Sequence, residues 1–307
     1  MESWRNNKAV FLTFLGPALL WLTIFFFVPL AIIWLYSFGE NVSLVDIEIT
    51  WTLNNYERIF RPEILILLWR TLWLSALATM ICIVIAFPVA LVIASAQPKW
   101  KPWLLLLIIL PFWTNGLIRT YALLNILGTR GRLNGALHWI WTQANEALTL
   151  IGLGDYHLLG ERFQPIQFLG TELGVIYCLV YFFLPFAILP IYSSLERLDK
   201  SYLEASLDLG AGQVRTLFVI LVPLASTGIF TAAIITFIPA IGQFLIPDLL
   251  GRGQVDMIAN VIERQFKKAN DWPYGSALSL FLLYVTFIVL AIRATVDARR
   301  SAERANA

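Results

Sequence analysis

Six stretches of this chain are apolar for long enough to cross a bilayer, which takes about 20 residues per helix. They cover residues 9–38, 69–96, 103–127, 173–192, 218–246 and 274–294. In hydrocarbon every backbone N–H and C=O must be satisfied within the chain, so spans of this kind are helices. Composition agrees, since 59% of the 307 residues are hydrophobic and only 14% charged, against roughly a quarter in a soluble domain. The expectation is an all-α membrane protein with six transmembrane helices and no soluble domain. The first stretch follows Arg5 and Lys8. It is far longer than the apolar core of a signal peptide and shows no small-residue cleavage site, so it reads as a retained span.

Several function classes fall away. A net charge of +2 gives no reason to expect nucleic acid. Cys82 and Cys178 both lie inside apolar stretches and read as small packing residues. His138 and His157 have no metal-ligand spacing, and no nucleophile–base pair stands out. No G-x-x-x-x-G-K-[ST] loop occurs, so the chain is not expected to bind ATP itself. Gly152 and Gly154 lack the third glycine of a dinucleotide loop. No cofactor is implied.

Prolines punctuate the spans at 17, 29, 88, 111, 185, 190, 223 and 239. Each frees a backbone carbonyl that must find protein or water, as in helices that line a path or rearrange. Lys and Arg divide evenly between the two sides of the membrane. The short Lys99/Lys101 turn and a tail with Arg293, Arg299, Arg300 and Arg304 are denser in positive charge, and favour both termini inside. On the other side lie an acidic segment (39–68), a glycine-rich loop (128–171) and a third segment (247–273). The middle of the glycine-rich loop, 133–148, reads as an interfacial helix carrying Trp139 and Trp141. In the third, Met257, Ile258, Val261, Ile262, Gln265 and Phe266 follow the spacing of an amphipathic helix. These segments suit either solvated connectors or a receiving surface for a soluble protein.

One polar stretch, residues 194–223, interrupts this apolar chain. Ser201 and Glu204 have capping-box spacing, and Gly210 suits a left-handed helix end. Leu203 and Leu207 share one stripe. Glu204 and Asp208 are like charges at i,i+4, and Asp208 is an anion near a helix C-terminus. Both placements are mildly unfavourable. Such a helix is either solvated or offered to a basic partner surface.

Glu204-Ala205-Ser206, Gly210, Ile220 and Val222-Pro223 resemble the EAA loop of ABC importer permeases, E-A-A-x3-G-x9-I-x-L-P, with Ser206 and Val222 as the departures. Further segments are similar to spermidine/putrescine permeases, specifically the first of their two permease subunits. These are Pro111-Phe112-Trp113-Thr114-Asn115 with Leu117-Ile118-Arg119 and Tyr121, Leu184-Pro185-Phe186 through Glu196, and Asn260-Val261-Ile262 with Asp271-Trp272-Pro273. The resemblance implies a MetI-like type I importer permease fold. In it, an accessory helix at 9–38 joins a five-helix core at 69–294, and a cytoplasmic coupling loop occupies 195–223. It implies a multi-pass protein of the bacterial inner membrane, in contact with lipid and not itself an enzyme. Its partners would be a paralogous second permease, two cytoplasmic ATP-binding subunits and an extracytoplasmic substrate-binding protein. Glu204, Ala205, Leu207, Gly210 and Pro223 would couple to the ATPases.

A polyamine path needs aromatic faces and carboxylates. Trp113, Asn115, Tyr177, Tyr181 and Asp248 are the candidates, with Glu172 and Asp271 as further outer carboxylates. Arg119 fits poorly beside a polycation. It either pairs with an acidic residue at the interface or bears on a different substrate. The alternatives are the same importer architecture for another small organic solute, and a stand-alone secondary carrier. The carrier would need intramembrane ionisable residues, which are scarce here.

Overall fold

The computed structural model describes residues 8–43, 46–150, 162–199 and 201–305. Gly152, Gly154, His157, Gly160 and Lys200 lie outside the described residues, as do Arg5 and the side chains of Leu207 and the tail arginines. Contacts divide the chain into two units, Met1–Leu65 with Val261–Ala307, and Ile66–Asn260.

The first unit begins with an apolar rod of α1 (Lys8–Leu22), a π-helical turn (Thr23–Phe27) and α2 (Val28–Tyr36). The π turn precedes Pro29. Widening the helix there relieves the clash between the proline ring and the carbonyl four residues back. A hairpin of β1 (Gly39–Asn41) and β2 (Ile47–Ile49) follows, with Glu40 opposite Glu48. These two short strands lie in the acidic segment of a fold that is otherwise helical, as expected. Buried Asn55, on α3 (Asn54–Ile59), donates to the carbonyls of Ser37 (3.1 Å) and Gly39 (2.8 Å). It thereby satisfies backbone groups where helix passes to strand.

The second unit holds most of α4 (Pro62–Ser95). Then come α5 (Lys101–Ile109), a 3-10 turn (Leu110–Trp113), α6 (Gly116–Leu127) and α7 (Arg132–Leu150). After α8 (Glu172–Glu196) comes the short α9 (Ser201–Asp208). Next are α10 (Gln213–Thr216), a π turn (Leu217–Leu221), α11 (Val222–Leu224), α12 (Ser226–Ile241) and α13 (Leu245–Gly251). α14 (Ile258–Lys267) bridges the unit boundary, and α15 (Trp272–Ala305) closes the first unit. Helices thus form at both of the places expected, as α7 and α14.

The core of the second unit is α8, packed chiefly on α12. α4 contributes a buried row of small residues, Ala78, Cys82, Ala86 and Ala90, with Cys82 Sγ 3.6 Å from the carbonyl of Val180. Small residues let helix backbones approach where lipid supplies no hydrophobic drive. Gly228 does the same on α12: a Cβ there would lie 2.5 Å from Ser194 Cβ and 2.7 Å from the Pro190 carbonyl. Both cysteines are buried and free, in line with packing roles.

Among the described residues three helices are long and apolar enough to cross a membrane: Thr13–Tyr36, Pro62–Ser95 and Glu172–Glu196. Two helix pairs are long and apolar enough only when taken together and are bent at a short break, Lys101–Trp113 with Gly116–Leu150 at 91°, and Gln213–Leu224 with Ser226–Ile241 at 68°. The third and fifth apolar stretches are therefore broken rather than continuous. The apolar part of α15, Trp272–Ile288, is a shorter helix than the other spans.

Candidate coupling loop and translocation path

The polar interruption of the chain is built as a capped helix, and the cap differs from the expected one. Asp199, rather than Ser201, is the N-cap. Its carboxylate accepts from Ser201 N (3.0 Å), and its carbonyl accepts from Tyr202 N (3.3 Å). These hydrogen bonds hold the Asp199 carboxyl below the usual carboxylate range. Capping-box spacing misleads here because two competing cap residues lie two positions apart. At the other end Gly210 has φ +77°, and Ala211 N donates to the Ser206 carbonyl (3.1 Å). That is a Schellman closure, as the glycine predicts. A Cβ at Gly210 would meet nothing within 4 Å, so backbone conformation is the local constraint.

Ser206 departs from the alanine of the family pattern, and the structure gives it a use. Its buried hydroxyl lies 2.9 Å from that of Thr216, tying α9 to α10. Thr216 carried no sequence signal, because the pair forms only once Gly210 turns the chain. Glu204 and Ala205 are exposed, as is Asp208. Leu203 is half-buried and packs on the core, while the side chain of Leu207 lies outside the described residues. The exposed apolar groups are Tyr202 (55%) and Leu209 (88%). Lys101 Nζ donates to both carboxylate oxygens of Glu196 at 2.9 Å, anchoring the end of α8 just before this loop. Pro223 follows the second π turn and opens α11. Beside it, a cavity of about 400 Å³ is lined by hydroxyls of Ser193, Ser194, Thr227 and Thr231, together with Arg197.

The first break places the other candidates. Trp113 ends the 3-10 turn and is 76% exposed. Asn115 Oδ1 accepts from Leu117 N (2.8 Å), so the carbonyl expected to face a substrate caps α6 instead. Tyr177 and Tyr181 are exposed one turn apart on α8. Of the outer carboxylates, Glu172 pairs with Arg70 (3.1 Å). Asp271 pairs with Arg58 (2.8 Å) and caps α15 through Tyr274 N (3.2 Å). Asp248 is exposed on α13, and among the described residues no hydrogen bond or ion pair engages its carboxylate. Among the described residues Arg119 finds no acidic partner. Its guanidinium stacks over Phe112 (4.7 Å) and Phe182 (4.4 Å), contacts worth about 0.5–2 kcal/mol each.

A helical membrane protein with two broken spans, and a capped helix in the loop leading to the second, has the build of a transporter subunit. Residues 86–302 match the family described as a binding-protein-dependent transport system inner membrane component, and the chain belongs to that family. It is a multi-pass membrane permease subunit and not itself an enzyme.

The relatives are more particular. The spermidine/putrescine transport system permease protein PotB of Haemophilus influenzae is 37% identical over 276 residues, covering 89% of this chain and 88% of the relative. PotB of Escherichia coli K12 is 38% identical over 272 residues, covering 89% and 92%. A bacterial ABC transporter that imports alginate shares the fold at TM-score 0.69, with 16% identity, covering 97% of this chain and 99% of that one.

Proposed function

We propose that this chain is one of two permease subunits of an ATP-driven polyamine importer in the bacterial inner membrane. With a second permease it forms the path for spermidine and putrescine. The coupling loop carries the importer reading: a short helix, capped at both ends and hydrogen-bonded to the broken span behind it, exposes Glu204, Ala205, Tyr202 and Leu209. The substrate class comes from the PotB relatives, similar over about nine-tenths of both chains.

In this reading both termini and the coupling loop are cytoplasmic. The helix α9 docks into a groove on one of two ATP-binding subunits, through Glu204, Ala205 and Leu207. Gly210 supplies the turn that points the helix outward. ATP-driven closure moves α9, and the Ser206–Thr216 bond passes that motion to α10 and the π turn before Pro223. The broken spans then switch the path from inward-open to outward-open. A loaded extracytoplasmic binding protein delivers polyamine to it. Trp113, Tyr177 and Tyr181 offer aromatic faces to its ammonium groups, and Asp248 offers a carboxylate. Asn115 acts through the cap that shapes the break. Few full charges lie mid-span, so selectivity rests mainly with the binding protein.

The test is ATPase activity of the complex, purified in lipid with its neighbouring subunits and a binding protein loaded with spermidine. Stimulation by the loaded protein is expected. Basal ATPase indifferent to polyamine would overturn the substrate, and absence of any co-purifying ATPase would overturn the importer.

A further inference from the structure

Arg119 is a charge beside the first helix break that the mechanism above does not use. Phe112 and Phe182 cover its guanidinium from 4.7 and 4.4 Å. Ring contacts engage the flat faces of the cation and leave its in-plane N–H groups unsatisfied. Nε and Nη1 are buried under this chain's own atoms and make no hydrogen bond within the described residues, which leaves Nη2 as the edge of the half-buried cation that a group from outside can reach. A guanidinium stays charged at any physiological pH, so it cannot relieve this by losing its proton.

Its depth narrows what can satisfy it. Phe182 is ten residues after Glu172 and fourteen before Glu196, the ends of α8. At 1.5 Å per residue that is roughly 15 and 20 Å from the two helix ends. Arg119 is therefore a mid-span cation, too deep for a lipid phosphate to reach without distorting the bilayer. A polyamine is itself a cation and cannot pair with it. The neighbouring surface is uncovered in this chain: Trp113 and Ile118 flank Arg119 at 76% and 67% exposure, and Leu117 and Tyr121 are exposed too.

We propose that Arg119 receives a carboxylate from the second permease subunit, forming a mid-span ion pair across the subunit interface at the first helix break. This rests on the reading that the path is shared by two permeases. The same carboxylate then lies beside Trp113, where an ammonium group of a passing polyamine competes with Arg119 for it. Arg119 thus acts as a built-in stand-in for the substrate's charge, keeping the carboxylate paired when no substrate is present.

The experiment uses the complete importer in proteoliposomes. It compares Arg119→Lys and Arg119→Glu, and the latter combined with Asp→Lys or Glu→Lys changes at each mid-span carboxylate of the second permease. Labelled spermidine uptake is one readout, and co-purification of the second permease with this chain is the other. Arg119→Lys should keep uptake within about threefold, while Arg119→Glu should lower uptake and recovery of the second permease about tenfold or more. One charge swap, and not the others, should restore both. Normal uptake and assembly in Arg119→Glu would overturn the proposal. So would the failure of every swap to restore assembly, or restoration by a changed anionic-lipid content alone. If the wild-type complex takes up no spermidine, the polyamine reading fails. The assembly readout still decides the ion pair.

Discussion

The two broken spans reach similar bends by different means. At the first, Thr114 and Asn115 are both extended (ψ 144° and 136°), and the helix stops and starts again. Local polar groups close the gap: Thr114 Oγ1 donates to the Pro111 carbonyl (2.6 Å), and Asn115 caps α6. All three residues from Trp113 to Asn115 are exposed. At the second, only Ala225 leaves helical geometry (φ −81°, ψ 3°), and it is fully buried. The hydrogen-bond ladder runs through it, from Ala225 N to the Leu221 carbonyl (2.8 Å) and from Ile229 N to the Ala225 carbonyl (3.0 Å). A π turn and Pro223 supply the bend, and Gly228 seats the outgoing helix on α8. The first break is a gap that faces outward and invites a neighbour. The second is a packed bend joined to the coupling loop through Thr216.

If that contrast holds, the largest effect comes from the loop wired to the second break. Gly210→Asp should abolish uptake while leaving membrane abundance normal, because a side chain strains the left-handed turn that ends α9 on the docking surface but disturbs no packed neighbour. Uptake assays with immunoblots of the membrane fraction check this, and normal uptake at normal abundance would refute the coupling role. Gly228→Val attacks the bend itself. A Cβ there meets the Ser194 Cβ, which is fixed to its backbone, and the Pro190 carbonyl, so thermal stability in detergent should drop by about 1–3 kcal/mol. The first break has no such close seat, and Asn115→Ala should cost about 1 kcal/mol by removing the cap. If it lowers stability as much as the Gly228 change, the gap is as tightly packed as the bend and the contrast fails.

Smaller changes sharpen the link. Ser206→Ala restores the alanine of the family pattern but leaves the Thr216 hydroxyl without its partner, a loss of about 1 kcal/mol. The double change with Thr216→Val should cost less than the two single changes added together, as a thermal double-mutant cycle would show. The smallest effect is acidic. The Asp199 pKa is depressed in the folded loop, so its cap is fully present above the ordinary carboxylate pKa. It weakens only as pH falls through the lower folded value. Amide exchange at Ser201, corrected for intrinsic rate, should stay protected through neutral and mildly acidic pH. Loss of protection already near neutrality would show that Asp199 is not the cap.

Much of the molecule was legible from residues alone because membrane physics leaves few choices. Apolar length dictated the spans, and glycine's freedom at φ +77° dictated the end of α9. Amphipathic spacing located α14. These features depend on neighbours within a few residues. What escaped the sequence depends on groups far apart in the chain. Proline positions marked candidate kinks without ranking them: Pro88, Pro185 and Pro190 lie inside unbroken helices, whereas the breaks fall beside Pro111 and Pro223. The outer carboxylates looked alike until Arg70 and Arg58 claimed Glu172 and Asp271.

By itself, then, the amino-acid order determined that this chain is a helical membrane permease and where the short polar helix α9 lies. Hydrophobic length, turn chemistry and motif spacing are local and survive without knowledge of the fold. Tertiary structure alone decided which spans break, that Ser206 binds Thr216, and that Arg119 stacks between two phenylalanines with donors unsatisfied. The last two are contacts between separate elements, and no local pattern encodes which distant group arrives to make them.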